Sequence, residues 1–400
     1  MKFAYKLACI ASAIAISNAY AAPQAGINSM ANPTAQIQNV SFLNKFFGGG
    51  QQPAQQQQQP QAAQEEAISD EAFKDKTTEY TNTKFYANAV SYKIRIPKNW
   101  ENMGEDISEN PDVNDRLLQT IEEFRGPTVI GGQRPTIKVE AMILKHEMLA
   151  EHWLQNYIFK NGFTLPGEIK ATNESEAEAD IVYVKGPLSL TAKLKVIITQ
   201  NRLILIRFDA PTNLDKETYK VANKSIEEFK LIDTKIGNTE EIIEFSLSNR
   251  ITFNYPNSWL IKNHVLSDAN KVKTELHNVG SNGDLLGLIQ IQSYRTSRKS
   301  LNDILKDLKE GIEGERKISP AELTHSSILN VGLNFDMAMI ETYKVSINDR
   351  SSTDYELWLA VLNEEGWLNT LYLLTPSKDI DYYEWARNTR AFDILLSSIK

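Results

Sequence analysis

Ile251-Thr-Phe253-Asn-Tyr255-Pro256-Asn-Ser-Trp259 has a second copy in this chain, Tyr92-Lys-Ile94-Arg-Ile96-Pro97-Lys-Asn-Trp100. In both, three apolar residues alternate with polar ones, the pattern of a strand with one face on a core. Pro-x-x-Trp then stops the strand, since proline has no N–H to give to a ladder, and lays a large ring back on it. The offset is 159 residues throughout. Two such copies predict a duplicated domain, with Pro97, Trp100, Pro256 and Trp259 as the signature of the repeat.

The composition allows that reading. A chain of 400 residues, 42% of them hydrophobic, has material for two domains of ordinary size plus extensions. Residues 1–21 read as a secretory signal: Lys2 and Lys6 form the charged start, Leu7 to Ile16 the apolar run, and Ala19-Tyr20-Ala21 a cleavage site. The run is too short to span a bilayer, which takes roughly 20 residues, and no later stretch is continuously apolar enough. The expectation is an exported protein without a transmembrane segment, periplasmic or held at the outer envelope by a partner. Its single cysteine, Cys9, lies within the signal, so the mature chain has no thiol for disulfides, clusters or nucleophilic catalysis. Loss of Lys2 and Lys6 takes the formal charge from −8 to −10. So acidic a chain, with no basic cluster, is not expected to bind nucleic acid.

Residues 22–82 read as an arm. Gly48-Gly-Gly50 leads into a Gln/Pro-rich run to Gln64, with too little apolar surface to offset the entropy of ordering. As a flexible coil, residues 48–82 reach roughly 30 Å. The arm carries one apolar segment, residues 40–47. At 100° per residue Val40, Phe42, Leu43, Phe46 and Phe47 fall on an arc of roughly 160°. So short a helix needs a surface to form on. That surface belongs either to its own domain or to a groove on another protein.

Residues 83–235 and 240–400 are expected to be the two domains, joined by a connection at residues 233–244. In the first, the acidic stretch Glu101 to Glu123 reads as loop with a short helix. A strand follows at Pro135 to Lys145, a helix at Met148 to Phe159, strands at Ala179 to Val184, Leu188 to Ile198 and Leu203 to Phe208, and a closing helix at Lys216 to Leu231. The second repeats the order: strand Asp284 to Tyr294, helix Leu301 to Ile312, strands Leu333 to Val345, Tyr355 to Leu362 and Leu368 to Leu374, and helix Tyr382 to Ile399. Each is then an α+β domain, layered α/β/α around a mostly antiparallel sheet.

The opening strand with Pro-x-x-Trp, the mid-unit helix, the long hairpins and a closing helix ending in Phe229-Lys-Leu231 or Ala391-Phe392-Asp-Ile394-Leu395 resemble the PsbP-like fold. That family includes the extrinsic subunit of photosystem II, a Ran-binding nuclear import factor and bacterial DcrB-type envelope proteins. The resemblance covers both repeats and implies binding or assembly at least as often as catalysis. The chain departs from the photosynthetic members in its duplication and its Gln-rich tether, and no metal site is carried over.

Chemistry finds little support. In His146-Glu147-Met-Leu-Ala-Glu151-His152 the histidines are six apart, about 240° around a helix, where zinc binding from one face needs a spacing of four. Two partly exposed histidines at a helix start are expected instead. His264, His277 and His325 are isolated. The glycines from Gly280 to Gly287 lack the Lys-Ser/Thr of a phosphate loop and enter a strand, so a hairpin turn is expected, and Gly126 to Gly132 reads as loop. The pairs Glu122-Glu123 and Glu240-Glu241 read as solvated faces. Trp100 and Trp259 are expected as core rings. Trp358, Trp367 and Trp385, with Tyr382 and Tyr383, give the second unit an aromatic excess that is either core or partner surface. The resulting expectation is a non-enzymatic exported binding or assembly subunit of an envelope complex, without cofactors. The alternative is a periplasmic small-molecule or lipid carrier, recognisable by a large apolar cavity.

Overall fold

A computed structural model describes residues 67–83, 90–104, 118–129, 132–232, 237–268, 271–295, 300–328, 337–347, 354–364 and 366–400. The signal and the segment 40–47, with Val40, Phe42, Leu43, Phe46 and Phe47, lie outside the described residues. The chain is α+β and its strand pairings are antiparallel.

The first half opens with helix α1 (Asp70–Lys76) and strands β1 (Thr77–Asn82) and β2 (Tyr92–Pro97), the latter being the first copy of the repeated strand. Then come β3 (Glu101–Asn102), β4 (Gln119–Arg125), β5 (Thr136–Ile143), helix α2 (Ala150–Lys160), β6 (Lys170–Asn173), β7 (Glu176–Lys185), β8 (Leu188–Thr199), β9 (Arg202–Pro211), helix α3 (Lys216–Glu227) and β10 (Lys230–Leu231). The second half runs β11 (Ile242–Leu247), β12 (Ile251–Pro256), β13 (Trp259–Asp268), β14 (Lys271–Val279), β15 (Leu285–Arg295), helix α4 (Leu301–Arg316), β16 (Ile318–Ile328), β17 (Met337–Ile347), β18 (Tyr355–Glu364), β19 (Trp367–Pro376) and helix α5 (Tyr382–Ser398).

Each half builds one seven-stranded sheet, and the strand order is the same: β3-β4-β5-β9-β8-β7-β6 and β13-β14-β15-β19-β18-β17-β16. The repeated strands lie outside these sheets in small ribbons, and there too the registers agree. Thr77 faces Pro97 and Asn82 faces Tyr92; Ile242 faces Pro256 and Leu247 faces Ile251. Lys230 pairs with Lys93 in β2. Lys400 exchanges two backbone hydrogen bonds, 2.9 and 3.1 Å, with Thr252, which stands at the same place in β12.

Alternation along the strands assigns the two faces of each sheet. In the first, Ala179, Ile181, Leu194, Val196 and Leu205 pack with Leu154 and Ile158 of α2. Ile137, Val139, Ile206 and Phe208 turn the other way, to Ile226 of α3 and to Tyr92 and Ile94 of β2. In the second, Val361 and Leu368 meet Ile304 and Leu305 of α4, while Ala360, Leu371 and Leu373 meet Phe392 and Leu395 of α5. Trp259 is buried at 2% exposure. Trp100 is half-buried, with its ring so close over Gly126 that an added Cβ there would stand 2.8 Å from the indole.

Three expectations are corrected. The arm does not extend to residue 82, because α1 and β1 belong to the folded body. Phe73 is fully buried, and Ser69 caps α1 by accepting from Ala72 N. Residues 119–125 form a strand rather than loop; their acidic residues hide the alternation, since a register shift between Thr120 and Glu122 puts Glu122 on the inner side. The connection is shorter than residues 233–244, since β11 occupies its end.

Glu122 also contradicts its reading as solvated: it is 1% exposed. Its carboxylate accepts from Tyr80 Oη, Asn82 Nδ2 (2.9 Å), Tyr92 Oη (2.6 Å) and Asn102 Nδ2 (2.6 Å). One buried acid therefore ties β1, β2 and β3 to β4, and the four donors replace the water it lost. Glu122→Ala is expected to cost roughly 2 kcal/mol or more, since stranded buried donors cost about 1–3 kcal/mol each. Trp259→Ala should cost about 3–5 kcal/mol, and Trp100→Ala less, both read by denaturant melts. Deleting residues 23–80 removes α1 and most of β1 and should lower the melting temperature sharply; an unchanged melt would refute their place in the core.

Candidate functional site

Most surface helices have one apolar stripe, and α3 and α4 follow that rule. On α4, Ile304, Leu305 and Ile312 are buried while Lys306, Asp307, Glu310 and Glu313 face out. Two helices do not. On α2, Ala150, Leu154 and Ile158 lie on one side and His152 and Asn156 on the opposite side, all buried. On α5, burial runs almost all the way round, from Trp385 through Arg387, Asn388 and Asp393 to Leu396. A helix buried on two faces needs two covers. Here each helix lies on its own sheet and on the other helix, and one hydrophobic core runs from the first half into the second.

Polar groups are concentrated at this junction. Arg390 of α5 donates to Glu174 Oε2 of the first half (2.8 Å) and to Asp393 Oδ2 one turn along (2.9 Å). The His152 ring lies 5.3 Å from that of Trp385 and 6.1 Å, edge-on, from that of Tyr382. Lys160 reaches over the Tyr383 ring at 5.3 Å. At the connection two carboxylates clasp each other's backbone. Glu147 Oε1 accepts from the amides of Thr239 and Glu240, while Glu240 Oε1 accepts from the amide of Glu147 (3.0 Å). The other oxygen of Glu240 accepts from Ser258 N (2.9 Å), inside the turn Pro256-Asn-Ser-Trp259. Glu356 of β18 takes the indole N–H of Trp385 (2.7 Å) and of its own strand's Trp358 (3.1 Å).

Burial sets the protonation of these groups. It lowers both His146 and His152 to about 4, helped by Arg387 beside the first and Arg390 beside the second. It lifts Asp393 to about 7, against the pull of Arg390 and with the repulsion of Glu174. Glu147 is also raised by burial, opposed by its two backbone donors. The arrangement holds the halves together and places a carboxyl that changes charge near neutrality beside the ion pair joining them.

Several expectations change here. His152 is buried rather than partly exposed, because α2 is covered on both faces; His146 does remain partly exposed. Glu240 is not a solvated acid, its side chain being only 10% exposed within the clasp. Trp358 and Trp385 are core, Tyr382 and Tyr383 pack against it, and Trp367 is half-buried under two arginines. Pro97 and Pro256 end their strands and are both buried. A recess of about 340 Å³ lies beside α4, lined by Leu305, Lys306, Lys309, Glu310, Glu313 and Glu341 among others. Among the described residues no three His, Cys, Asp or Glu are gathered as a metal ion needs, and no helix is long and apolar enough to cross a membrane.

The titration of Asp393 has a definite sign. A carboxyl raised from 3.8 to about 7 contributes stability that is complete below pH 3.8 and lost as pH rises through 7, because the native state holds the proton longer than the unfolded chain does. Asp393→Asn stays neutral at every pH. Its melting temperature, measured against the unsubstituted chain, should therefore rise between about pH 5 and about pH 8. A constant difference would show that Asp393 does not titrate there. His152 acts oppositely: its contribution is present above 6.5 and lost as pH falls through 4, so His152→Phe should lose less stability than the unsubstituted chain over that fall.

No protein-family model matches the chain, and no curated protein sequence does. Solved structures similar to parts of it include the PsbP homologue CyanoP of Synechocystis sp. PCC 6803, at 14% identity over 42% of this chain and 96% of that one, with a TM-score of 0.30. Another is the Ran-binding protein Mog1p of Saccharomyces cerevisiae, at 12% identity over 40% of this chain and 96% of that one, with a TM-score of 0.26. At these values neither likeness carries information about function.

Proposed function

We propose that the chain is a non-enzymatic binding or assembly subunit: a tandem of two PsbP-like domains, exported to the bacterial periplasm or outer envelope, whose N-terminal arm docks on another component of an envelope complex. Secretion machinery is one such setting. The junction carries the reading. Its buried His152 and its carboxylates, the residue types from which acid–base chemistry is built, contact α2, α5 and the connection and hold the two halves in fixed relation. A body of that kind presents two different surfaces at a set distance. A short apolar anchor on a long tether then adds affinity through effective concentration, once the body itself is engaged.

A pull-down from envelope extract tests this, using the mature chain beside a variant with Phe42, Leu43, Phe46 and Phe47 changed to Ser. The expected result is a specific protein in the first lane that is lost or strongly reduced in the second. Deletion of residues 23–66 should reproduce the loss while leaving the melting temperature unchanged. If both lanes hold the same protein in equal amount, the arm is not the docking element. Capture of no protein by either form argues against the adaptor reading itself.

A further inference from the structure

Ser248 and Asn249 both take left-handed backbone, φ 54° and 56°, in the turn from β11 to β12. Neither is glycine, and consecutive residues in that region store strain. The first half makes the same connection with the longer stretch 83–91. In the second half the tight turn delivers Arg250, whose guanidinium carbon lies 4.2 Å from the centre of the Trp367 ring. Arg295 reaches the same ring at 5.4 Å from the last pair of the β15–β19 ladder, where it faces Trp367 directly. Both arginines are exposed and the indole between the two strands is half-buried.

Such contacts are within cation–π range, but the ring offers no counter-charge. Seven other described arginines find one: Arg95, Arg125, Arg134, Arg207, Arg316, Arg387 and Arg390 each stand in an ion pair with a carboxylate. Arg250 and Arg295 have no such partner among the described residues, in a chain whose net charge is −8. The fold does not require the group either. The corresponding last pair of the first sheet is Ile143 with Arg202, which has neither the indole nor the second cation.

We propose that Arg250, Trp367 and Arg295 form a docking patch for an acidic segment of a protein partner, whose carboxylates the two guanidiniums take up. Arginine and tryptophan are the side chains that most often dominate interface energies. A guanidinium held over a ring presents a planar fork that matches a carboxylate in two hydrogen bonds. The overall negative charge of −8 opposes every polyanion at long range, and most of all the extended charge of nucleic acid or an anionic membrane; a short acidic peptide carries fewer charges and meets the two guanidiniums at contact distance. The inference deepens the binding-subunit reading and rests on it.

The test is fluorescence anisotropy of a labelled hexaglutamate peptide titrated with the whole mature chain at low salt, beside a hexaglutamine peptide and vesicles of anionic phospholipid. The glutamate peptide should bind, the glutamine peptide should not, and binding should weaken as salt is added. Arg250→Ala with Arg295→Ala should lose about tenfold in affinity without a change in melting temperature. Replacing both by Lys should restore only part of it, since charge returns without the fork. Equal binding by the Ala variant, or no preference for glutamate over glutamine, overturns the patch. Tighter binding to vesicles than to peptide assigns the arginines to lipid and overturns it too. If the patch fails while the arm variant still loses its protein in the pull-down, the adaptor reading stands. If the peptide binds as expected and no protein is ever captured, that reading falls and the patch remains.

Discussion

The packing of α2 against α5 is the contact on which the rest depends. Each helix buries side chains on opposite sides, so neither half can satisfy its own hydrophobic surface alone. The pairing is heterologous: the mid-unit helix of the first half meets the closing helix of the second, and a head-to-tail contact of this kind can in principle continue. α4, the mid-unit helix of the second half, turns charged residues outward and so offers no matching face for such a contact. At the other end, α1 lies against α3 through Lys224, which donates to Ile68 O at 3.1 Å and pairs with Asp70 at 2.5 Å. The chain thus carries a polar end on one side and a small added helix on the other.

Buried carboxylates recur wherever a peripheral element must be fixed to a sheet or to the other half. Glu122 anchors the first ribbon, Glu147 and Glu240 lock the connection, and Glu356 holds α5 by the indole of Trp385. In each case the donors are neutral amides, hydroxyls or indoles. That solution satisfies the acid without a second buried charge, which would carry its own desolvation cost. Elsewhere buried acids do meet cations: Glu275 pairs with Arg316 and Glu341 with Lys309, both on α4. Arg390 is shared between Glu174 and Asp393, and it is there that a group is left titrating near neutrality.

Much of the fold was legible because strand alternation and helical stripes are local. The strands at Leu188–Thr199, Arg202–Pro211 and Leu285–Arg295, and all four long helices, lie within a few residues of where periodicity puts them. The repeated strand pointed to two sheets of one order. The strand at Gln119–Arg125 and the start of the body at α1 were not legible, since a bulge and a run of charged or polar residues mask the inward positions. The junction was missed for a related reason. Both helices carry polar residues on the side that meets the other half, His152 and Asn156 on α2 and Arg387, Asn388 and Asp393 on α5. Spacing alone reads such positions as solvated, and only the packing of the two helices buries them.

The sequence by itself determined the α+β class, the four long helices named above and the central strands around them, because those follow from spacing along the chain; the strands at Trp259–Asp268, Lys271–Val279 and Ile318–Ile328 were not among them. Tertiary structure decided which acids and histidines are inside. Glu122 and Glu123 are neighbours, yet one is buried among four donors and the other pairs at the surface with Arg125 at 2.6 Å. His152 is enclosed only because a helix more than two hundred residues later packs across it. Arg250 and Arg295 meet on Trp367 from three separate turns and strand ends. Burial and charge environment are properties of distant segments brought together, and no local pattern contains them.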